Sequence, residues 1–324
     1  MKRVLAALCA VLLLLVAGGA WFVRHRVQLE QFLSQRLTLE SSATAQPAAS
    51  PAPNANSPAQ APAQTAAPTP VPTVDADWYV ERNRNLRLLL RRNGSFQNAE
   101  EVDAAIAKMY IDPTKPMVAL TFDDGPVPGV TDKILDILEK YNVRATFFVV
   151  GVRLKKPEAV ALVKRAISLG CEIGNHTWEH KEMTKLTVNE MRKAIVDTNK
   201  IVFDNTGFVV YSLRPPGGDS CWEVTRLATE QNMAVVKWAQ SGNVYEQDPE
   251  KIAQNVQKQI VNGKELQDGD IILLHDTKER MIPAVEIIIP QLLAEGYQLV
   301  TVWELLNLSD NGFVAGQTYR NQND

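Results

Sequence analysis

The sequence predicts an α/β protein: a parallel sheet of about seven strands wound with helices and closed into a barrel. Three observations carry this. From Pro116 onward, short apolar runs alternate with helix-period segments. The first run, Met117 to Gly125 (M-V-A-L-T-F-D-D-G), passes straight from β-branched and apolar residues into two adjacent carboxylates. Helix start signals then recur at regular intervals, as βα units require.

The strand candidates are Met117–Phe122, Ala145–Val150, Glu172–Gly174, Ser212–Arg214, Ala234–Trp238, Asp270–His275 and Gln298–Thr301. Between them, Thr131–Tyr141 places Ile134, Leu135 and Leu138 on one helical face. Pro157 suits the first turn of a helix, where its missing N–H costs nothing. Thr187 and Glu190 have the spacing of a capping box.

The N-terminal third reads differently. Lys2 and Arg3 precede an uncharged apolar run from Val4 to Val23, closed by Arg24, His25 and Arg26. Twenty such residues span a hydrocarbon core of about 30 Å. Residues 1–26 are therefore expected to be an uncleaved single-pass anchor. Gly18 and Ala20 leave a cleavable signal as the alternative, although Trp21, Phe22 and Val23 continue the run beyond them. Residues 27–40 have helical spacing and suit a short juxtamembrane helix. Residues 41–74 contain no charged residue and consist largely of Ala, Pro, Ser, Thr, Gln and Asn. Such a segment is expected to be a disordered linker reaching about 30 Å if flexible and ~100 Å if extended. Residues 75–115 form a helical lead-in, 116–308 the main domain and 309–324 a polar tail. This organisation implies a domain held outside the cytoplasmic membrane, or secreted if the signal is cleaved.

Composition narrows the class. Hydrophobic residues make up 45% and charged residues 22% of 324, and the net charge of -3 gives no pull toward nucleic acid. Nothing implies a protein partner. Cys9, Cys171 and Cys221 are too few for a disulfide framework, and only Cys171 and Cys221 remain as a pair in the folded part.

Histidine is scarce, and its placement matters. Of four, His176 and His180 follow the third strand (H-T-W-E-H) and His275 ends the sixth (L-L-H-D). Asp123 and Asp124 end the first strand, and Arg214 leads into Pro215, Pro216, Gly217 and Gly218 after the fourth. Each alone has an ordinary explanation: a chance H-x-x-x-H pair, a turn, a rigid loop, a hydrogen-bonded histidine. Their convergence on one rim points instead to a metal-assisted site, since like-charged neighbours such as Asp123 and Asp124 require a cation. Two imidazoles, one carboxylate and an open position also suit a hydrolytic zinc site.

The residues T-F-D-D-G at 121–125, A-T-F-F-V-V-G at 145–151, H-T-W-E-H at 176–180, R-P-P-G-G at 214–218 and L-L-H at 273–275 resemble the polysaccharide deacetylase family, carbohydrate esterase family 4 with its NodB-like domain. The resemblance spans about 117–305 and implies a distorted (β/α) barrel with fewer than eight strands. It further implies that Asp124, His176 and His180 bind one divalent metal, most simply Zn2+, with Co2+, Ni2+ and Mn2+ as alternatives. Asp123 would be the general base, held ionised by Arg214. His275 would protonate the leaving amine, Gly217 would offer a backbone N–H to the oxyanion, and Leu273 would line the acetyl pocket.

Two departures from the family pattern stand out. Gly217 replaces a usual aromatic. After Trp238, Asn243, Val244 and Tyr245 stand where an Asp-Trp pair normally tunes the general acid, leaving Ser241, Asn243 and Asp248 as candidates to substitute. The expected activity is removal of N-acetyl groups from amino sugars of a cell-surface glycan, first of all peptidoglycan N-acetylglucosamine. Alternatives are N-acetylmuramic acid, chitin oligomers, an exopolysaccharide, or glycan binding without turnover.

Overall fold

The computed structural model describes residues 98–243, 245–258, 265–308 and 313–324. The predicted anchor, juxtamembrane helix, linker and the first part of the lead-in lie outside the described residues. Among the described residues, no helix is long and apolar enough to cross a membrane.

The described part of the lead-in contains α1 (Ala99–Ala107), capped by the Asn98 side chain. Nine parallel strands follow among the described residues: β1 (Met117–Asp123), β2 (Thr146–Val149), β3 (Glu172–Asn175), β4 (Ser212–Leu213), β5 (Ala234–Val236), β6 (Gln240–Ser241), β7 (Ile271–His275), β8 (Gln298–Val300) and β9 (Thr318–Tyr319). The helices between and after them are α2 (Thr131–Tyr141), α3 (Pro157–Ser168), α4 (Val188–Thr206), α5 (Trp222–Glu230), α6 (Pro249–Gln257), α7 (Met281–Ala294) and α8 (Val302–Asn307). Sequence signals and structure meet at the helix starts. Pro157 is the first residue of α3, and Thr187 and Glu190 form a complete capping box on α4.

The strand order is β6-β7-β1-β2-β3-β4-β5-β9, with β8 also paired to β1. This corrects the closed seven-stranded barrel. The sheet curls but its end strands, β6 and β9, do not pair with each other among the described residues. The expected strand 234–238 stops at Val236, because Lys237 N–H bonds Tyr319 O (2.7 Å) while Ala239 N–H bonds Ile271 O (2.9 Å). The backbone thereby switches neighbours and restarts as β6 against β7.

The segment read as a polar tail fills the gap. β9 pairs with β5, and beyond it Ile271 N–H donates to Arg320 O (3.2 Å) and Gln322 N–H to Gly269 O (2.9 Å). Tyr319 is wholly buried in the interior cluster. Thr318 and Tyr319 are only two residues of strand, too short for any periodicity to register.

Strand alternation sorts the core into two layers. Val118, Leu120 and Phe122 of β1 join Phe147, Ile173, Leu213, Val235, Ile272 and Leu274 beneath the helices. Met117 and Ala119 face inward with Phe148, Ala234, Val236 and Ile271. Near the strand starts the interior is polar: Glu172 accepts from Thr146 Oγ1 (3.0 Å), Ser212 Oγ (2.7 Å) and Trp303 N–H (2.8 Å). Burial raises the Glu172 carboxyl above its ordinary range. Cys171 and Cys221 are both free thiols, and burial pushes Cys171 up to about 12.

If the terminal segment is part of the fold, removing its buried anchor is costly. Tyr319→Ala is expected to lower the unfolding free energy by about 3–5 kcal/mol, as for other large aromatic truncations in cores. Urea unfolding of the purified domain reads this; a loss below about 1 kcal/mol would show that the segment is dispensable.

Candidate metal centre at the carboxyl ends of the strands

The register of the sheet assembles the site. Asp123 lies opposite His275 on β7 and Phe148 on β2, and Thr121 lies opposite Leu273 and Thr146. Registered residues of parallel strands share a face, so Asp123, Leu273 and His275 point inward together. Asn175 and Leu213 pair with each other and face outward, Leu213 into the helix-side core. The next residues, His176 and Arg214, therefore turn inward at the same level.

Asp124 should then face away from Asp123. Its left-handed backbone (φ 75°) turns it back. Thr177 (φ 65°) and His180 (φ 57°) adopt the same region in the H-T-W-E-H loop. Non-glycine residues there are uncommon, cost about 1–3 kcal/mol and cluster at functional sites. The loop is strapped down by Gly151 N–H to Thr177 O (3.0 Å) and Val152 N–H to Trp178 O (2.9 Å).

Arg214 is the central cation. It is wholly buried, with Nη1 on Asp123 Oδ1 and on Thr121 Oγ1 (2.7 Å each), Nη2 on Lys237 O (2.9 Å) and Nε on Val236 O (3.3 Å). Its guanidinium lies 4.1 Å from the Phe148 ring centroid. Burial weakens its hold on the proton, and Asp123 opposes that loss. Its carbonyl oxygen lies 2.6 Å from His176 Nδ1. That contact assigns the proton to Nδ1 and leaves the Nε2 lone pair free.

His176 Nε2 faces Asp124 Oδ1 at 3.3 Å and Asp123 Oδ2 at 3.6 Å; His180 Nε2 faces Asp124 Oδ1 at 3.0 Å. One ligand atom from each of Asp124, His176 and His180 lies within 4.8 Å of the others. Asp124 Oδ1 is buried and makes no hydrogen bond. Burial would raise the Asp124 carboxyl, but the two imidazoles outweigh it and hold it well below the usual range. The same contact raises His180. Two nitrogen lone pairs and an unsatisfied carboxylate oxygen converging on one point fit a divalent cation.

The other predicted site positions are Leu273, Gly217 and His275. Leu273 is buried on β7, two residues before His275. Gly217 is exposed in the turn Pro216–Gly218 with φ 68°, and nothing lies within 4 Å of where its Cβ would be. His275 is held below its ordinary value of 6.5 by burial, although Asp123 and Asp124 pull it up. Each of the three proposed replacements for its carboxylate partner has a side-chain oxygen engaged by its own loop. Ser241 Oγ accepts from Asn243 N–H (3.1 Å), Asn243 Oδ1 from Tyr245 N–H (3.1 Å) and Asp248 Oδ1 from Glu250 N–H (3.0 Å). These side chains fold their own loop and cap α6.

The chain resembles known proteins in sequence and in fold. The polysaccharide deacetylase family profile matches residues 110–236. The peptidoglycan-N-acetylglucosamine deacetylase of Bacillus cereus is 36% identical over 195 residues, covering 59% of this chain and 88% of the relative. This chain belongs to the polysaccharide deacetylase family. The peptidoglycan-N-acetylmuramic acid deacetylase PdaC of Bacillus subtilis is 39% identical over 230 residues, 70% of this chain but only 46% of PdaC. The chain thus spans less than half of PdaC's full length. The solved PdaC structure superposes with a TM-score of 0.55 at 37% identity, covering 61% of this chain and 93% of the solved one. A family 4 acetyl xylan esterase from Clostridium thermocellum, solved with a cobalt ion, gives 0.56 at 34% identity, covering 63% and 98%.

Sequence reading gave no role to Thr121, Phe148 or Asp276. All three lie inside the motifs T-F-D-D-G, A-T-F-F-V-V-G and L-L-H-D, and that position is the only signal they carry in the sequence. Asp276 is buried, and burial pushes its carboxyl up to about 7.

The lack of a carboxylate behind His275 has a measurable consequence. With its value depressed, protonated His275 is lost as pH rises through a point under 6.5. Ser241 pairs in register with Leu273 and so shares the inward face with His275. Ser241→Asp is expected to raise the His275 value, read by NMR titration of the imidazole in metal-free protein; an unmoved titration would show position 241 out of reach.

Proposed function

We propose that this chain is a metal-dependent hydrolase that removes N-acetyl groups from amino sugars of a cell-wall glycan. The observation that carries the reading is the convergence of Asp124, His176 and His180 beside an arginine-paired carboxylate, with a third imidazole, His275, in register with that carboxylate on the neighbouring strand. Glycan binding alone requires neither a base nor an acid.

Asp124, His176 and His180 would hold the metal. A divalent cation there supplies Lewis acidity, lowering the pKa of water from ~15.7 toward 7 and polarising a carbonyl. Asp123 has one oxygen committed to Arg214 and keeps the other, Oδ2, toward the ligand cluster. That oxygen takes the proton of the attacking water. The Gly217 N–H is available for the developing oxyanion, and Leu273 borders the acetyl methyl. His275 donates a proton to the departing amine, without which an amide nitrogen is a very poor leaving group.

Peptidoglycan is the substrate polymer, by analogy with relatives named for it. N-acetylglucosamine is the first candidate sugar and N-acetylmuramic acid the second, the latter supported by the 39% identity to PdaC, which is named for it. Zinc is the metal the donor set suits best. Residues 1–74 tether the domain outside the membrane.

Incubating the domain with peptidoglycan or chitin oligomers, with zinc or after chelation, and measuring acetate tests the class; mapping the free amines identifies the sugar. His176→Ala is expected to lose metal and acetate release together, and full activity without metal would rule the site out. Asp123→Asn is expected to keep its metal and lose about 10²–10⁴ in turnover. Metal loss in that variant would mean the two aspartates exchange roles.

A further inference from the structure

One buried acid has no part in the reaction above. Asp276 follows His275 and is 1% exposed. Its Oδ2 accepts the hydroxyl of Thr131, the first residue of α2, at 2.6 Å, and that hydroxyl accepts from Val127 N–H at 2.7 Å. Its own N–H reaches Asp123 O at 3.4 Å. Oδ1 makes no hydrogen bond.

On its remaining side lies Gly125. A Cβ on that residue would fall 2.0 Å and 2.2 Å from the two carboxylate oxygens of Asp276. The carboxyl therefore occupies the space any side chain at 125 would need. Gly125 is absent from the residues with positive φ, so glycine answers here to volume and not to backbone conformation. Gly125 O is also held by Val150 N–H at 3.0 Å. The turn that carries both aspartates is thus gripped by β2, by β7 and by the start of α2.

A buried carboxyl with one unsatisfied oxygen is a costly way to fill space, and an apolar residue would do so at less expense. We propose that Asp276 is a positioning residue: wedged between Gly125 and Thr131, its carboxyl holds the Asp123–Asp124–Gly125 turn in register with His275. It touches neither substrate nor metal. Its effect passes through the placement of Asp123 and Asp124, and the inference rests on the reading of the site given above.

The test compares wild type with Asp276→Ala, Asp276→Asn, Gly125→Ala and the double variant Gly125→Ala/Asp276→Ala. Zinc affinity by chelator competition, kcat, KM and Tm are measured on each. Asp276→Ala is expected to weaken zinc about tenfold and to lower kcat by about 10–10²-fold with KM nearly unchanged, the size a misplacement near 1 Å produces. Asp276→Asn, which keeps an acceptor for Thr131, recovers most of both. Gly125→Ala alone is as damaging, and the double variant is no worse than either single one, because removing the carboxyl makes room for the methyl group.

A folded Asp276→Ala with wild-type zinc affinity and kcat overturns the proposal, as do fully additive losses in the double variant. Should Asp276→Ala not fold, Gly125→Ala with wild-type zinc affinity overturns it equally. A wild-type protein that releases no acetate, with zinc affinities that follow this pattern, defeats the deacetylase reading and leaves the positioning role standing.

Discussion

Arg214 is the residue on which the site depends. It reaches the centre twice: its guanidinium grips Asp123 and its carbonyl oxygen accepts the hydrogen bond of His176 Nδ1–H. One backbone position therefore orients both the candidate base and a candidate metal ligand. A buried guanidinium is tolerable only because its charge is paired and most of its donors are matched. Here Thr121, Asp123 and the carbonyls of Val236 and Lys237 meet them, and the Phe148 face covers the plane. Strand β4 is only two residues long, yet it must end where it does, since shifting Arg214 by one residue would send it into the helix-side core.

Much of this was legible from the chain. Strand candidates survived because buried parallel strands are continuous apolar runs, and helix starts survived because caps and prolines act locally. The rim histidines were found because histidine is rare and its neighbours ended strands. What escaped reading was decided at long range. Nothing local to Tyr319 says that β5 needs a partner or that Ile271 needs an acceptor. Val236 ends its strand because of hydrogen bonds to residues more than thirty positions away in either case. The fate of Ser241, Asn243 and Asp248 was hidden for the opposite reason: each side chain satisfies a backbone group two residues on, and composition does not tell that use from a catalytic one.

The interior is divided by chemistry as well as by height. Near the strand starts, Glu172 is satisfied by two hydroxyls and one backbone N–H, and no described histidine shares that level. Near the strand ends, Arg214 separates this floor from the cluster of lone pairs above. The rigid, hydrogen-bonded base supports an upper layer whose own backbone is strained at Asp124, Thr177 and His180.

The left-handed backbone at Asp124 restricts how the centre can evolve. Glycine enters that conformation freely, aspartate and asparagine at less cost than other side chains, and of these only aspartate brings a negative oxygen donor. Glutamate or cysteine there would meet a steric penalty before meeting an ion. A drift in ion preference is consequently confined to the two imidazole positions and to the walls around them, so the hardest donor of the set is also the least replaceable.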